Sequence, residues 1–203
     1  MAISSTEQTL DDLVGHITSL AKRQQTVLLA IDGRGGSGKS TLADAIRMKL
    51  PTVTIVHLDD FAYPTTGADR QRLLEQVILP LKNHKPARYQ RYDWNTKTLS
   101  EWHDVPPGGV VIVEGVLTLH DDLNKYYDFR IWIECPAEVG FQRGVARDIS
   151  EHHLDTTNEW LHHWMPEEKA AIEEQRPQTK ADYIIDGSKD VLRSISAKKA
   201  TSL

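Results

Sequence analysis

The sequence is poor in several features that define whole classes of protein. Cys135 is the only cysteine, which excludes an internal disulfide framework and leaves no Cys-x-x-Cys pair for a zinc site. No apolar run approaches the roughly 18 residues that a membrane-spanning helix needs. The opening stretch MAISSTEQTLDDLVGHITSLAKR lacks the uninterrupted apolar segment of a secretory signal. We therefore expect a cytoplasmic protein with no membrane partner.

Positive charge is also in short supply. Lysine and arginine number 24 against 29 aspartates and glutamates, so the formal net charge is -5. A general nucleic-acid binder needs a basic surface, and this balance argues against one. A small anionic ligand remains compatible with it, because the charge around a site matters more than the sum. With 203 residues, of which 39% are hydrophobic and 26% charged, the chain suits one soluble domain, residues 1–203, with room for a lid.

Short apolar runs alternate with helical patterns along the chain. The runs are VLLAI (Val27–Ile31), VTIVH (Val53–His57), VVIVE (Val110–Glu114), RIWIEC (Arg130–Cys135) and YIID (Tyr183–Asp186). Most are apolar at successive positions, as in the strands of a parallel sheet that is covered on both faces. Helical patterns occur within residues 1–25 and at about 39–49, 70–82, 137–150 and 156–174. Repeated strand–helix units of this kind predict an α/β fold.

Between the first strand and the next helix lies GRGGSGKS, in which four of eight residues are glycine. The spacing Gly-x-x-x-x-Gly-Lys-Ser, between a strand and a helix, is the P-loop pattern. Glycine permits the positive dihedral angles that turn backbone N–H groups inward, and the helix N-terminus adds its dipole. We predict that a nucleoside triphosphate binds to Gly33, Arg34, Gly35, Gly36, Ser37, Gly38, Lys39, Ser40 and Thr41. Lys39 would reach the β- and γ-phosphates, and the Ser40 hydroxyl would ligate Mg²⁺.

Carboxylates follow two of the predicted strands. Asp59 and Asp60 come after the second strand, and Glu114 ends the third. Ligands of open α/β sheets bind outside the carboxyl ends of the strands, where an aspartate can accept the proton of an attacking hydroxyl group. Either aspartate is therefore a candidate base, and Glu114 is a candidate support of the Mg²⁺ shell. Position alone leaves open that the aspartates only cap a helix or end a strand in solvent.

Two arginines stand four residues apart in a predicted helix. Arg143 and Arg147 share one face of it. Guanidinium groups on a closing lid can neutralise charge on a transferring phosphoryl group. We therefore predict a lid at about residues 143–165 with both arginines in catalytic roles. The alternative is a pair of surface arginines bonded to Glu138 or Asp148.

The stretch KPARYQRYDW combines basic and aromatic residues. Binders of single-stranded nucleic acid share this composition, but the net acidity and the compactness of the patch favour an acceptor pocket. Arg88 could hold an anionic acceptor there, and Tyr92 and Trp94 could stack on a base. A plain packed loop is an equal alternative, since tyrosine and tryptophan often anchor loops against a core.

Taken in this order, six segments resemble the uridine kinase/phosphoribulokinase family of P-loop kinases over about residues 26–187. The segments are GRGGSGKST, LDDF, RYDW, VVIVEG, RGVARD and ADYIIDG. The resemblance implies a P-loop NTPase fold, with a five-stranded parallel sheet of order 2-3-1-4-5, helices on both faces and a small helical lid. It also implies ATP with Mg²⁺ as the donor and transfer to a hydroxyl group of a nucleoside-like small molecule. The family includes oligomers, so a homo-oligomer is possible.

The same resemblance assigns roles to single residues. The proposed base of the family's DSFY-like motif falls on Asp59, and Asp60 stands at the serine of that motif. Tyr63 follows Ala62, which occupies the usual tyrosine position. The family's glutamate of the EG motif and its lid arginines match Glu114, Arg143 and Arg147. We expect the acceptor to contact Asp60, Tyr63, Arg88, Tyr92, Asp93 and Trp94.

One segment departs from the family pattern. Uridine kinases carry an FDHPDAFD-like segment whose aspartate holds the ribose hydroxyls, whereas this chain has TTGADRQRLLEQVILP, with Asp69 as a displaced equivalent at best. The identity of the acceptor therefore stays open, and a sugar phosphate or pantothenate is an alternative to a nucleoside. A nucleotide-binding regulator or ATPase without a small acceptor is the rival from another class, and an RNA-associated ATPase is a third.

Overall fold

A computed structural model describes residues 10–63, 67–68, 70–94, 96–192 and 198–199. In chain order, its strands are β1 (Thr26–Gly33), β2 (Val53–His57), β3 (Ala62–Tyr63), β4 (Gly67–Ala68), β5 (Ala87–Asp93), β6 (Thr98–Val105), β7 (Gly109–Glu114), β8 (Phe129–Glu134), β9 (Tyr183–Asp186) and β10 (Lys198–Lys199). Its α-helices are α1 (Leu10–Ala21), α2 (Lys39–Lys49), α3 (Arg70–Leu73), α4 (Leu79–Lys82), α5 (Asp121–Asn124), α6 (Ala137–His152), α7 (Thr157–Glu159), α8 (Met165–Gln175) and α9 (Pro177–Lys180).

Three further helical segments are wound more tightly or more loosely than an α-helix. A 3-10 helix, Leu58–Phe61, follows β2 directly. A π-helix at Leu74–Ile78 joins α3 to α4, and another at Trp160–Trp164 joins α7 to α8. The predicted helices at 70–82 and 156–174 are therefore each one continuous helical segment. No helix within the described residues is long and apolar enough to span a bilayer.

The main sheet has the strand order β10-β9-β8-β1-β7-β2. β2, β7, β1, β8 and β9 are parallel to one another, and β10 pairs antiparallel with β9. Counted along the chain, the parallel strands follow the order 2-3-1-4-5. The predicted α/β fold of a P-loop NTPase is therefore confirmed, and the edge strand β10 is an addition that the sequence analysis did not anticipate.

Alternate residues of β1 face two separate hydrophobic layers. Leu28 and Ala30 belong to one layer, and Val27, Leu29 and Ile31 belong to the other. The second layer is covered by α1 and α2 through Leu13, Ile17, Leu42, Ala43 and Ile46. Because both faces of the sheet are buried, the strands have the nearly continuous apolar runs seen in the sequence.

The stretch KPARYQRYDW differs from the packed loop that was one alternative. Residues Ala87–Asp93 form strand β5, which pairs antiparallel with β6 in a separate hairpin. Ala87, Tyr89 and Tyr92 are buried, and the ring of Tyr89 packs on Phe61 with 4.6 Å between centroids. The aromatic residues therefore fix a strand against the 3-10 helix, and Pro106 and Pro107 connect the hairpin to β7.

Candidate active site

The strand register brings the ends of three strands to one edge of the sheet. Glu114, the last residue of β7, is level with Ile31 of β1 and with His57 of β2. The loop after β1 and the 3-10 helix after β2 therefore begin on either side of Glu114. The predicted P-loop, the two aspartates and Glu114, the candidate support of a metal ion, share this edge, as the sequence predicts for ligand-binding residues of an open α/β sheet.

The P-loop is a tight turn whose backbone requires glycine. Gly36 and Gly38 have φ angles of 68° and 100°, in the left-handed region that glycine adopts without strain. A methyl group on Gly36 would also collide with the carbonyl oxygen of Gly140 in α6. The N–H of Ser37 closes the turn on the Arg34 carbonyl at 3.1 Å, and α2 begins at Lys39. Loop amides and the α2 N-terminus thus adjoin, which suits an anionic ligand.

Lys39 folds back over this turn. Its ammonium group donates hydrogen bonds to the carbonyl oxygens of Gly33 at 3.0 Å and Arg34 at 2.9 Å, and Lys39 is only 9% exposed. Both acceptors are neutral, so a phosphate would be a stronger partner for the ammonium charge. Ser40 and Thr41, in the first turn of α2, are exposed to solvent.

Ser40 lies beside Glu114. Its hydroxyl donates to Glu114 Oε1 at 3.2 Å, and the same oxygen is 2.5 Å from His57 Nδ1. Burial on its own would raise the pKa of Glu114, but the His57 hydrogen bond and the charge of Lys39 lower it overall. The Glu114 hydrogen bond in turn raises the pKa of His57. The carboxylate is thereby kept ionised beside a hydroxyl, a donor set of the kind that Mg²⁺ prefers.

Asp59 and Asp60 are placed differently within the 3-10 helix. Asp59 is exposed as a residue, yet desolvation by the surrounding protein raises the pKa of its carboxyl group, against the opposing charge of Lys39. Asp60 is half-buried and accepts a hydrogen bond from the Tyr89 hydroxyl at 2.8 Å. Asp59 thus lies within the electrostatic reach of Lys39, while Asp60 is tied to strand β5.

The predicted lid arginines are both engaged with the protein. The Arg143 guanidinium donates to the carbonyls of Gly187 at 2.6 Å, Ser188 at 3.2 Å and Lys189 at 3.0 Å. Arg147 pairs with Asp148 at 2.7 Å. The surface-pair alternative therefore describes Arg147 in this structure, whereas Arg143 holds the loop after β9.

The other predicted acceptor residues are spread over the hairpin. Arg88 is exposed, lies 5.0 Å from the centre of the Trp102 ring and pairs with Asp104 at 3.3 Å. Tyr92 is buried and meets the exposed Trp94 edge-on at 5.2 Å. The Asp93 carboxylate accepts a hydrogen bond from the backbone N–H of Thr96 at 3.1 Å. None of these described contacts joins the three side chains Arg88, Tyr92 and Trp94 to Asp59. The side chain of Tyr63 and all of Asp69 lie outside the described residues.

Asp32 is a site residue that the sequence analysis missed. This buried carboxylate accepts three backbone hydrogen bonds, from Gly33 at 2.7 Å, Leu117 at 3.0 Å and Leu119 at 2.8 Å. It therefore ties the first residue of the P-loop to the loop that follows Glu114. Burial raises the pKa of Asp32 to about 6, against these hydrogen bonds and the charge of Lys39. The signal in the sequence is an acid at the end of the apolar run VLLAID.

Glu168, in α8, is a second missed residue. Its Oε1 accepts a hydrogen bond from the backbone N–H of Gly35 at 2.6 Å, and its Oε2 pairs with Arg34 at 3.2 Å. Trp160, at the start of the π-helix, packs its ring against Gly35 and Gly144. Nothing in the sequence separates Glu168 from its neighbour Glu167, because only the fold brings one of them to the P-loop.

Comparison with known proteins agrees with this geometry. The model of the Phosphoribulokinase / Uridine kinase family matches residues 57–193, more than half of the chain. A uridine kinase of Staphylococcus epidermidis is 29% identical over 203 residues, covering 88% of this chain and 97% of the relative. A uridine kinase of Lactobacillus helveticus is 26% identical over 152 residues, covering 65% of this chain and 72% of the relative.

A solved structure supports the fold independently. A possible uridine kinase from Bacillus stearothermophilus superposes with a TM-score of 0.61 at 21% identity, covering 86% of this chain and 100% of the other. The predictions of a P-loop fold and of an ATP-dependent phosphotransferase acting on a hydroxyl group are confirmed. This chain belongs to the phosphoribulokinase/uridine kinase family.

Proposed function

We propose that the enzyme transfers the γ-phosphoryl group of ATP to a hydroxyl group of a nucleoside-like acceptor, with Asp59 as the base. The observation that carries this proposal is the shared position of Asp59, Lys39 and Glu114. All three lie at one sheet edge, and the charges of Lys39 and Glu114 both act on the pKa of Asp59. A base, a phosphate-binding cation and a metal-supporting carboxylate are the groups that phosphoryl transfer needs.

The donor half of the proposed reaction depends on backbone amides and on Lys39. The N–H groups of the P-loop would donate hydrogen bonds to the β- and γ-phosphates, and the ammonium group would leave its two carbonyl partners for the same phosphates. Charge-assisted hydrogen bonds to phosphate are stronger than those to neutral carbonyls. The phosphates of ATP would therefore bind to the Lys39 ammonium group, which the fold already holds beside the P-loop.

Ser40 and Glu114 fit a magnesium ion. Their oxygen atoms lie 3.2 Å apart, and hydroxyl and carboxylate oxygens are ligands that suit this cation. When bound, Mg²⁺ would neutralise charge on the phosphates. Ser40 would hold it directly, and Glu114 would orient the shell.

The acceptor half of the proposed reaction moves one proton and one phosphoryl group. The Asp59 carboxylate takes the proton of the acceptor hydroxyl group while the oxygen of that hydroxyl group forms a bond to the γ-phosphorus. The bond from that phosphorus to the oxygen bridging to the β-phosphate breaks, and ADP leaves with the electron pair. Desolvation raises the pKa of Asp59 and so makes its carboxylate a stronger base than a free aspartate.

The proposed lid has to move before its two arginines can contact the transferring phosphoryl group. Arg143 and Arg147 would reach the transferring phosphoryl group only by exchanging their present partners, the carbonyls after β9 and Asp148. We assign residues of about 143–165 to this lid within a single domain of residues 1–203. A cytoplasmic location and a homo-oligomeric state stay predictions from the sequence.

The test combines an acceptor panel with two matched variants. Coupled ADP release would be measured with uridine, cytidine, nicotinamide riboside, pantothenate and sugar phosphates. We expect Asp59→Asn to lower kcat by about 10²–10⁴-fold with little change in ATP affinity. Asp60→Asn, the control at the neighbouring position, should lower kcat by roughly tenfold or less.

Two results would contradict the proposal. Turnover that none of the acceptors stimulates would remove the substrate class and favour a nucleotide-binding regulator. Normal turnover of Asp59→Asn, with loss of turnover in Asp60→Asn, would move the base to Asp60.

A further inference from the structure

A carboxylate of the protein itself occupies part of the P-loop. Glu168 accepts the Gly35 N–H at 2.6 Å through one oxygen and pairs with Arg34 at 3.2 Å through the other. Its side chain is 9% exposed, so this contact is largely shielded from water. Gly35 and Arg34 are two of the residues that the P-loop pattern offers to a polyphosphate. A carboxylate and a phosphate are alternative anions for the same N–H and guanidinium groups.

The charge of the P-loop reaches Glu168. Burial raises the pKa of this carboxyl group, and the Gly35 N–H, the Lys39 ammonium and the Arg34 guanidinium act in the opposite direction. Lys39 itself donates to backbone carbonyls. In this arrangement, the Glu168 carboxylate satisfies the Gly35 amide, and backbone carbonyls satisfy the Lys39 ammonium group.

The helix that presents Glu168 is anchored by its own contacts. Trp160 packs on Gly35 and Gly144, and its indole N–H donates to the buried Asp148 carboxylate at 3.1 Å. The Asp148 carboxylate also accepts the Thr156 hydroxyl at 2.6 Å. Glu168 lies eight residues, about two turns, after Trp160 in the same continuous helical segment. The carboxylate is therefore held on the P-loop by a packed helix.

We propose that Glu168 is an intramolecular competitor of the nucleotide, which the phosphates of ATP must displace from Gly35 and Arg34. This inference rests on the proposed ATP binding at the P-loop. Two anions held by one N–H group and one guanidinium repel each other, so ATP binding and the Glu168 contact oppose each other. Displacement would free Arg34 for phosphate and release α8 from the loop. Nucleotide binding would thereby be coupled to opening of the segment from Thr157 to Gln175.

Calorimetric titration of the full chain tests the competition. Glu168→Gln keeps the shape of the side chain but removes its charge, and Glu167→Gln makes the same change at an exposed position of the same helix. We expect Glu168→Gln to bind MgATP about five- to tenfold more tightly than the wild type, with Glu167→Gln unchanged. Inorganic tripolyphosphate should show the same gain. Adenosine, which has no phosphate, should show none.

The outcomes separate this inference from the proposed function. Equal or weaker MgATP binding by Glu168→Gln, beside normal binding by the wild type, would overturn the competition and leave the kinase proposal intact. Absence of MgATP binding in every protein, with the wild type folded, would remove both.

Hydrogen exchange in the wild type gives a second measurement that needs no variant. Saturation with MgATP should speed exchange of the backbone amides of α8, Met165–Gln175, because the helix loses its contact with the loop. Unchanged or slower exchange in α8 would overturn displacement, even if Glu168→Gln failed to fold.

Discussion

The proposed donor and acceptor sides of the site are held in place by different means. The P-loop depends on backbone geometry, with positive φ angles at Gly36 and Gly38 and close contact between Gly36 and α6. The acceptor side depends on side chains from separate segments, such as the hydrogen bond from Tyr89 to Asp60. A short local motif specifies the first kind of site. The second kind exists only once distant segments have packed together.

The comparison also explains why the two sides tolerate change differently. Glycine at a positive φ angle with a backbone neighbour has no substitute, so the donor side is narrowly defined. On the acceptor side, Asp60 stands where the resemblance has serine and is tied to a tyrosine of the hairpin. A side-chain site of this kind can be rebuilt around a different small molecule, which fits the altered segment TTGADRQRLLEQVILP.

The largest effect is expected from Gly36→Ala, which breaks the donor side through the backbone alone. The added methyl group would strain a φ angle of 68° and collide with the Gly140 carbonyl. We expect the free energy of unfolding to fall by about 2–4 kcal/mol and MgATP affinity to fall at least about tenfold. Urea denaturation and calorimetry measure the two quantities.

Gly15→Ala is the matched control for this change. Gly15 lies exposed in α1, and nothing lies within 4 Å of an added methyl group. Alanine favours helix more than glycine does, so stability should rise by about 0.5–1 kcal/mol. Equal effects of the two substitutions would show that the P-loop backbone is no more constrained than an exposed helix.

A smaller loss of stability is expected from Asp32→Asn, which weakens the hydrogen bonds that hold the start of the P-loop in place. The amide NH₂ would face a backbone N–H in place of a carboxylate oxygen, because Asp32 accepts hydrogen bonds through both oxygens. We expect a loss of about 1–3 kcal/mol in the free energy of unfolding at pH 7.5. Asp128→Asn is the control, at a partly exposed carboxylate that accepts a hydrogen bond from the Leu28 N–H at 2.8 Å. Its free energy of unfolding should fall by less than that of Asp32→Asn.

The same variant gives a pH dependence with a definite sign. Burial raises the pKa of Asp32 to about 6 from 3.8. Between these values the unfolded carboxyl group has lost its proton while the folded one keeps it, so wild-type stability falls as the pH rises from about 4 to 6. Asparagine does not titrate. The stability gap between wild type and Asp32→Asn should therefore be wider at pH 4 than at pH 7.5, by up to about 3 kcal/mol. An equal gap at both values would contradict the raised pKa.

Local patterns predicted most of the fold and the donor site. Most of the five parallel strands are continuous apolar runs, and the P-loop spacing names its own candidate phosphate-binding residues, so the strands and the candidate donor site could both be predicted from the sequence. The hairpin β5–β6 was missed because the aromatic residues of KPARYQRYDW fit a pocket and a packed loop equally well until Phe61 is known to lie against Tyr89. Glu168 was missed for a similar reason, since its partners Gly35 and Arg34 are more than 130 residues away.

The smallest effect is expected from Tyr89→Phe, which acts on the acceptor side alone. The change removes the hydroxyl that holds Asp60 and leaves the ring packed on Phe61. We expect the KM for the acceptor to rise by about two- to tenfold, with stability lower by roughly 1 kcal/mol and MgATP affinity unchanged. Tyr183→Phe is the control, because within the described residues the Tyr183 hydroxyl is buried without a hydrogen-bond partner. Its loss should change neither the acceptor KM nor the MgATP affinity. The Tyr89 hydroxyl contacts only the acceptor side. If Tyr89→Phe changed the MgATP affinity as much as the acceptor KM, the donor and acceptor sides would therefore be one coupled unit.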